Sequence, residues 1–340
     1  MGFDKLRHNK YRNILFTTPS HSQKFCILNK FRHFYKYDVS ETDTHSPEIM
    51  LEEAEKYASA MYGVRKTKFL TNGSTSGIII SVMSAVQKGD NVLLSSNAHQ
   101  CHLNAAKLAG ANPIFYDLPL NDFGVQSAVD AGMLEQYFQN NSVKALIVTS
   151  PTYEGYVSDI KSLKELCQKY GAYLIVDEAH GALYPFSDEL PQSAVQYADF
   201  TVQSLHKTAG GLNPTALLHI NCNCEIVDII STTSPSYPLL MSIERNIRYL
   251  ASSQGKKELN KLIENLKSFR RDISGYTLGG DDITKILIKK DGLTGYELSE
   301  KLFDLGIEDE RTNDISTLLI TGIGTKKDKL ESLKLALKRI

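Results

Sequence analysis

The chain has 340 residues, 42% of them hydrophobic and 23% charged, the balance of a globular protein with room for a large core and a smaller attached unit. A net charge of -1 gives no reason to expect nucleic acid or an anionic membrane as partner, so the expected substrate is a small molecule. Five cysteines, Cys26, Cys101, Cys167, Cys222 and Cys224, are odd in number and form no CxxC pair, which argues against a disulfide framework or a zinc site and for a reducing compartment, the cytoplasm.

The N-terminus lacks the apolar stretch of a signal peptide, and the best apolar run, Gly77 to Val86, is too short to span a bilayer. Residues 1–47 are polar, basic and aromatic without sustained periodicity, and predict an arm laid on a surface. From Glu48 to Tyr62 the apolar residues follow helical spacing until Gly63 ends it. Lys68 to Thr71 reads as a short strand, followed by the polar turn Asn72-Gly73-Ser74-Thr75-Ser76-Gly77 and a helical run from Ile78 to Val86. Such a turn puts N–H groups and hydroxyls at the positive end of a helix dipole, where phosphate binds; an ordinary N-cap accounts for the same residues.

Strand and helix then alternate: Asn91–Leu94, His99–Ala109, Pro113–Tyr116, Gly132–Gln139, Ala145–Thr149, Ile160–Tyr170, Tyr173–Asp177. This rhythm predicts an α/β fold, a mostly parallel sheet with helices on both faces. The strand Tyr173–Asp177 stops on a carboxylate, and the strand Phe200–Val202 leads into Gln203-Ser204-Leu205-His206-Lys207-Thr208. An acid and a lysine at the carboxyl end of one sheet suit pyridoxal phosphate: the lysine forms a Schiff base, and the carboxylate keeps the pyridine nitrogen protonated. Further on come a strand at Thr215–Ile220, helices at Leu239–Leu250 and Lys256–Arg271, strands at Lys285–Ile288 and Thr317–Ile320, and helices at Tyr296–Leu305 and Lys326–Lys338. The last of these predict a small α+β C-terminal domain.

Six motifs in order and spacing resemble the Orn/Lys/Arg decarboxylase family of fold type I pyridoxal phosphate enzymes. They are Asn72–Gly77, Ser96–His99, Thr149–Tyr153, Asp177–Ala182, Gln203–Thr208 and Thr233–Tyr237. The resemblance implies a transferase-like fold type I architecture with an arm (1–47), a large cofactor-binding domain (48–238) and a connecting helix with a small domain (239–340). It also implies that Lys207 carries the cofactor, Asp177 pairs with the ring nitrogen, His99 stacks on the ring, and Ser74, Thr75 and Ser204 hold the phosphate with His206 beside it. His180 and Tyr153 become cavity walls, and the loop Thr232–Ser236 resembles a segment that reaches the phosphate across a homodimer interface. Each residue has a structural rival: Lys207 as a solvated strand end, Asp177 as an N-cap, His99 as a helix cap. His33, His45 and His102 read as packing histidines.

The implied activity is a pyridoxal phosphate-dependent lyase that releases CO2 from a small amino acid. Alternatives are another fold type I reaction, an aminotransferase or a Cα/Cβ lyase, and a homologue that binds cofactor without turnover. The sequence departs from the family at Pro19-Ser20-His21-Ser22 in the arm, in lacking a further C-terminal domain, and at Glu310-Arg311-Thr312-Asn313 with Ser316. Arg311 stands where an apolar residue is usual, which weakens the case for a long cationic substrate and admits a shorter or carboxylate-bearing one.

Overall fold

The computed structural model describes residues 14–15 and 47–340, with side chains from 51 onward. The expected arm therefore lies outside the described residues, apart from the strand β1 (Ile14–Leu15) and Pro47. Helix α1 (Pro47–Tyr62) leads into β2 (Lys66–Leu70) and α2 (Ser74–Ala85). The alternation continues through β3 (Asn91–Ser95), α3 (Gln100–Leu108), β4 (Asn112–Tyr116), α4 (Ala131–Asn140), β5 (Val143–Thr149), α5 (Ile160–Lys169) and β6 (Tyr173–Asp177). Then come β7 (Phe200–Ser204), the single turn α6 (Leu205–Thr208) and β8 (Ala216–Ile220).

These strands form one seven-stranded sheet in the order β2-β8-β7-β6-β5-β3-β4. The pairs from β7 to β4 are parallel, whereas β8 runs against both of its neighbours. Successive side chains of a strand point to opposite faces, and both faces here are covered. In β5 and β6, Ala145, Ile147 and Ile175 enter a core with α2, while Leu146, Val148, Leu174 and Val176 enter another with α4 and α5. This is why the strands read as continuous apolar runs. Gly77 sets how closely α2 lies on the sheet, because a Cβ there would stand 2.8 Å from both Leu70 Cδ1 and Val202 Cγ1.

Two long helices follow, α7 (Tyr237–Ala251) and α8 (Ser253–Asp272), and on α8 the basic residues Lys256, Lys257, Lys261 and Arg271 are exposed. The remainder comprises β9 (Thr277–Gly279), β10 (Lys285–Lys289), α9 (Gly295–Asp304), β11 (Ile307–Glu308), β12 (Arg311–Thr312), β13 (Thr317–Ile320) and α10 (Lys327–Leu337). Its antiparallel sheet has the order β12-β13-β10-β9, and β1 pairs in parallel with β11. Helix α9 begins with a complete capping box: Thr294 accepts from the Glu297 N–H while the Glu297 carboxylate accepts from the Thr294 N–H. A third core joins α1, α7, α8 and α10 to the small sheet through Ile247, Leu262, Leu266, Ile286, Leu319 and Leu333. Among the described residues, no helix is long and apolar enough to cross a membrane.

Candidate active site

The carboxyl ends of the parallel strands converge, and the chain turns there carry the polar side chains. In register, Thr149 at the end of β5 lies beside Asp177 at the end of β6, and Asp177 beside Val202 of β7. Asp177 is 6% exposed. One carboxylate oxygen accepts from His102 Nε2 at 2.9 Å, the other from the Ala179 N–H at 3.1 Å. Burial pushes this acid upward, but the His102 hydrogen bond and charge, the Lys207 charge and the Ala179 N–H together outweigh it and hold Asp177 below the usual carboxylate range. It is ionised at neutral pH.

Lys207 sits in the turn α6 immediately after β7, half-buried, with its Nζ 3.0 Å from His180 Nε2. Burial lowers the Lys207 amine, against the charge of Asp177, which raises it. His180 is buried, meets the ring of Tyr153 edge-on at 4.7 Å between centroids, and has Lys285 Nζ 2.8 Å from its Nδ1. Burial and the neighbouring Lys285 and Lys207 charges hold His180 well below the usual imidazole range.

His99 is the N-cap of α3 and its Nδ1 accepts from the Cys101 N–H at 3.2 Å, so the capping role expected as its rival is present. The residue is exposed and lies within the electrostatic reach of Asp177 and Lys207. His206 donates Nδ1–H to the Thr215 carbonyl at 3.1 Å, which leaves Nε2 available. Ser74 and Thr75 open α2, behind Gly73 at φ 80 with no side-chain cap on the helix N-terminus. Ser204 is fully buried at the end of β7, and its Oγ has no hydrogen-bond partner among the described residues.

On the small-sheet side, the Tyr153 hydroxyl donates to Glu310, and the Arg311 guanidinium lies over the Tyr153 ring and 3.4 Å from a Glu154 oxygen. A cavity of about 270 Å³ adjoins these groups, lined by Asn97, Gln126, Glu154, Arg311 and Asn313 among others.

The Orn/Lys/Arg decarboxylase major-domain family matches this chain over residues 6–286. The chain belongs to that family. An arginine decarboxylase of Bacillus anthracis is 29% identical over 98% of this chain and 74% of its own length, and one of Bacillus subtilis is 28% identical over 98% and 75%. The solved constitutive lysine decarboxylase of Escherichia coli superposes with a TM-score of 0.77 at 20% identity, over 99% of this chain and 59% of its own. That likeness establishes the shared fold type I architecture. The chain thus spans about three-quarters of these two curated relatives and under two-thirds of the solved one.

The cofactor of this family is pyridoxal phosphate, and the residues present fit it. A buried serine hydroxyl without a partner, an uncapped helix N-terminus, an ionised buried acid and a partly desolvated lysine are what a phosphate, a pyridinium and an aldehyde each require. Asp177, Lys207, His180 and His99 come together around one region, as the motifs imply. The sequence assigns no site role to two residues found here. His102 is not a packing histidine but the hydrogen-bond partner of Asp177, and its spacing of one helical turn from His99 was the available signal. Lys285 comes from the small sheet and no local pattern marks it.

Proposed function

We propose that the chain is a pyridoxal phosphate-dependent amino-acid decarboxylase in which Lys207 carries the cofactor and Asp177 pairs with its ring nitrogen. The observation that carries this reading is the buried, ionised Asp177, held by His102 and Ala179 at the end of the strand adjacent to the one that delivers Lys207. When bound, pyridoxal phosphate supplies an electron sink for the charge left at Cα as the carboxylate departs as CO2. Asp177 keeps a negative charge facing that sink, and His102 keeps the proton off Asp177. Ser74, Thr75 and Ser204 would hold the phosphate, with His206 beside them. His99, its Nδ1 held by the Cys101 N–H, would restrict the tilt of a cofactor ring placed against it. The loop after β5 and the Tyr153–Glu310 contact shield the region from water on the small-sheet side.

The relatives are named for arginine, lysine and ornithine. In this chain the cavity beside the site carries Glu154 and Arg311 as a pair, so both signs of charge are present and the substrate is a small amino acid selected by which of the two it displaces. We also propose the division into a large domain, 48–238, and a small one, 239–340, supported by their separate sheets. A homodimer with the site at its interface is supported by the exposed stretch Ser231–Ser234 beside Ile229, which is 71% exposed. The cytoplasm is supported by the free thiols of Cys101, Cys167, Cys222 and Cys224.

The test is CO2 release from a panel of basic, acidic and neutral amino acids, with Lys207→Ala as control. Borohydride reduction and peptide mapping must find the cofactor on Lys207. Keto-acid products without CO2, or conversion of the cofactor to its amine form, would establish transamination instead.

A further inference from the structure

Lys285 opens β10 in the small sheet and is, among the described residues, the sole fully buried lysine. Its stem runs along Gly155, where a Cβ would stand 2.7 Å from Lys285 Cγ and 2.9 Å from its Cβ. The Gly155 carbonyl accepts from the N–H groups of Asp281 and Asp282 at 2.8 and 2.9 Å, which locks the loop after β5 onto the small sheet where the lysine passes. The side chain crosses from one sheet system into the site of the other. Its amine ends 2.8 Å from His180 Nδ1, while His180 Nε2 is 3.0 Å from Lys207 Nζ.

Donor and acceptor counting restricts this trio. An ammonium only donates, and a neutral imidazole has one N–H and one lone pair, so two ammonium groups cannot both hydrogen-bond to one neutral ring. His180 stays neutral, because burial and the flanking amines hold it well below the usual imidazole range. One amine must therefore accept the ring N–H, and to accept it must be uncharged. Burial also lowers both amines, Lys285 to about 8.

We propose that Lys285 and Lys207 share one proton through His180, so that charge on either amine requires the other to be neutral. In the transfer, a proton leaves Lys207 Nζ for His180 Nε2 while the proton on Nδ1 passes to Lys285 Nζ. One proton moves in net terms, the imidazole changes tautomer, and no electrons are exchanged. Lys207 thereby becomes a neutral nucleophile, and in the reverse direction an acid, with the proton kept inside the protein. The groups that bias the position are Asp282, Glu310 and Glu154 facing Lys285, Asp177, Cys101 and Glu310 facing Lys207, and His206 and His99 facing His180. The place of this transfer in catalysis rests on Lys207 being the cofactor-bearing lysine; the sharing itself belongs to the chain alone. Lys285 is in these terms a positioning residue.

The test uses the full chain freed of cofactor, pulse-acetylated with acetic anhydride at graded pH, with the Lys207 peptide read by mass spectrometry. Lys285→Met keeps the stem and removes the competing amine, so the Lys207 midpoint rises by about one pH unit and acetylation below it slows about tenfold. Lys285→Arg supplies a charge that cannot be lost, always donating to Nδ1, so the Lys207 midpoint falls. A purely structural lysine would leave the midpoint unmoved in both variants, and that result, or a fall in the Met variant, overturns the proposal. Should the Met variant not fold by circular dichroism, the Arg variant decides alone. Borohydride trapping of cofactor runs in parallel: an adduct on Lys207 with unmoved midpoints sinks the shared proton and leaves the decarboxylase reading, whereas no adduct in the unsubstituted chain sinks that reading while the midpoints still decide the sharing.

Discussion

His102 donates its Nε2 hydrogen to Asp177 at 2.9 Å, with His102 1% and Asp177 6% exposed. A buried carboxylate needs such a partner, because desolvation alone would push it toward its neutral form. The pair explains how an acid under the sheet ends keeps its charge.

His102→Leu preserves the apolar volume and removes the donor. Breaking a buried pair by deleting one member costs about 3 kcal/mol, to be read from the urea midpoint. The acid limb of the pH–rate profile should also move upward as Asp177 loses the hydrogen bond. In the unsubstituted chain Asp177 is depressed on folding, so its stabilisation is complete above its unfolded value of about 3.9 and is lost as pH falls through the lower folded value. An unchanged urea midpoint together with an unchanged acid limb would refute the assignment.

Glu178, next in sequence, has the opposite sign. It is buried, and burial raises it to about 7 against the hydrogen bonds from the Ala194 N–H, Ser193 and Gln203. Its folded value lies above the unfolded one, so its contribution is fully present below about pH 4.3 and is lost as pH rises through about 7. Thermal or urea stability of Glu178→Gln should therefore be flatter than that of the parent over this window, by an amount on the order of 3 kcal/mol. Parallel pH curves for the two proteins would contradict it.

Gly77 is a packing position. Alanine there places a Cβ at 2.8 Å from Leu70 Cδ1 and Val202 Cγ1, and overpacking of this kind costs about 1–3 kcal/mol. Because α2 carries Ser74 and Thr75 on its first turn, affinity for the cofactor should fall along with stability, measurable by equilibrium dialysis of pyridoxal phosphate.

Arg311 bears on substrate choice. Its guanidinium lies 3.4 Å from Glu154 across the cavity wall, so Arg311→Leu uncovers a carboxylate there. The ratio of kcat/KM for basic over acidic amino acids should rise about tenfold or more, since one charge pair in a partly desolvated site is worth that much. A fall in that ratio would place Arg311 in contact with a different part of the substrate.

Most of the fold was legible because its local patterns were strong. β6 begins and ends where its apolar run does, at Tyr173 and Asp177, and α7 and α8 start within a few residues of where helical spacing sets in. The short strands β9, β11 and β12 carry no period of their own, because two or three residues cannot display one; they are strands only through their partners. The reversed direction of β8 was equally hidden, since an apolar run buried on both faces looks the same read either way.

By itself the sequence determined the longer helices and strands, the order of the six motifs, and thereby the presence of Asp177 and Lys207 at one sheet edge. Only the tertiary structure decided that His102 is the partner of Asp177 and that Lys285 reaches His180 from another sheet. The physical reason is range: helix period and turn chemistry act over a few residues. The protonation of a buried group is set instead by whatever charges fold to within a few ångströms of it, and for His180 and Lys285 those partners are 105 residues apart.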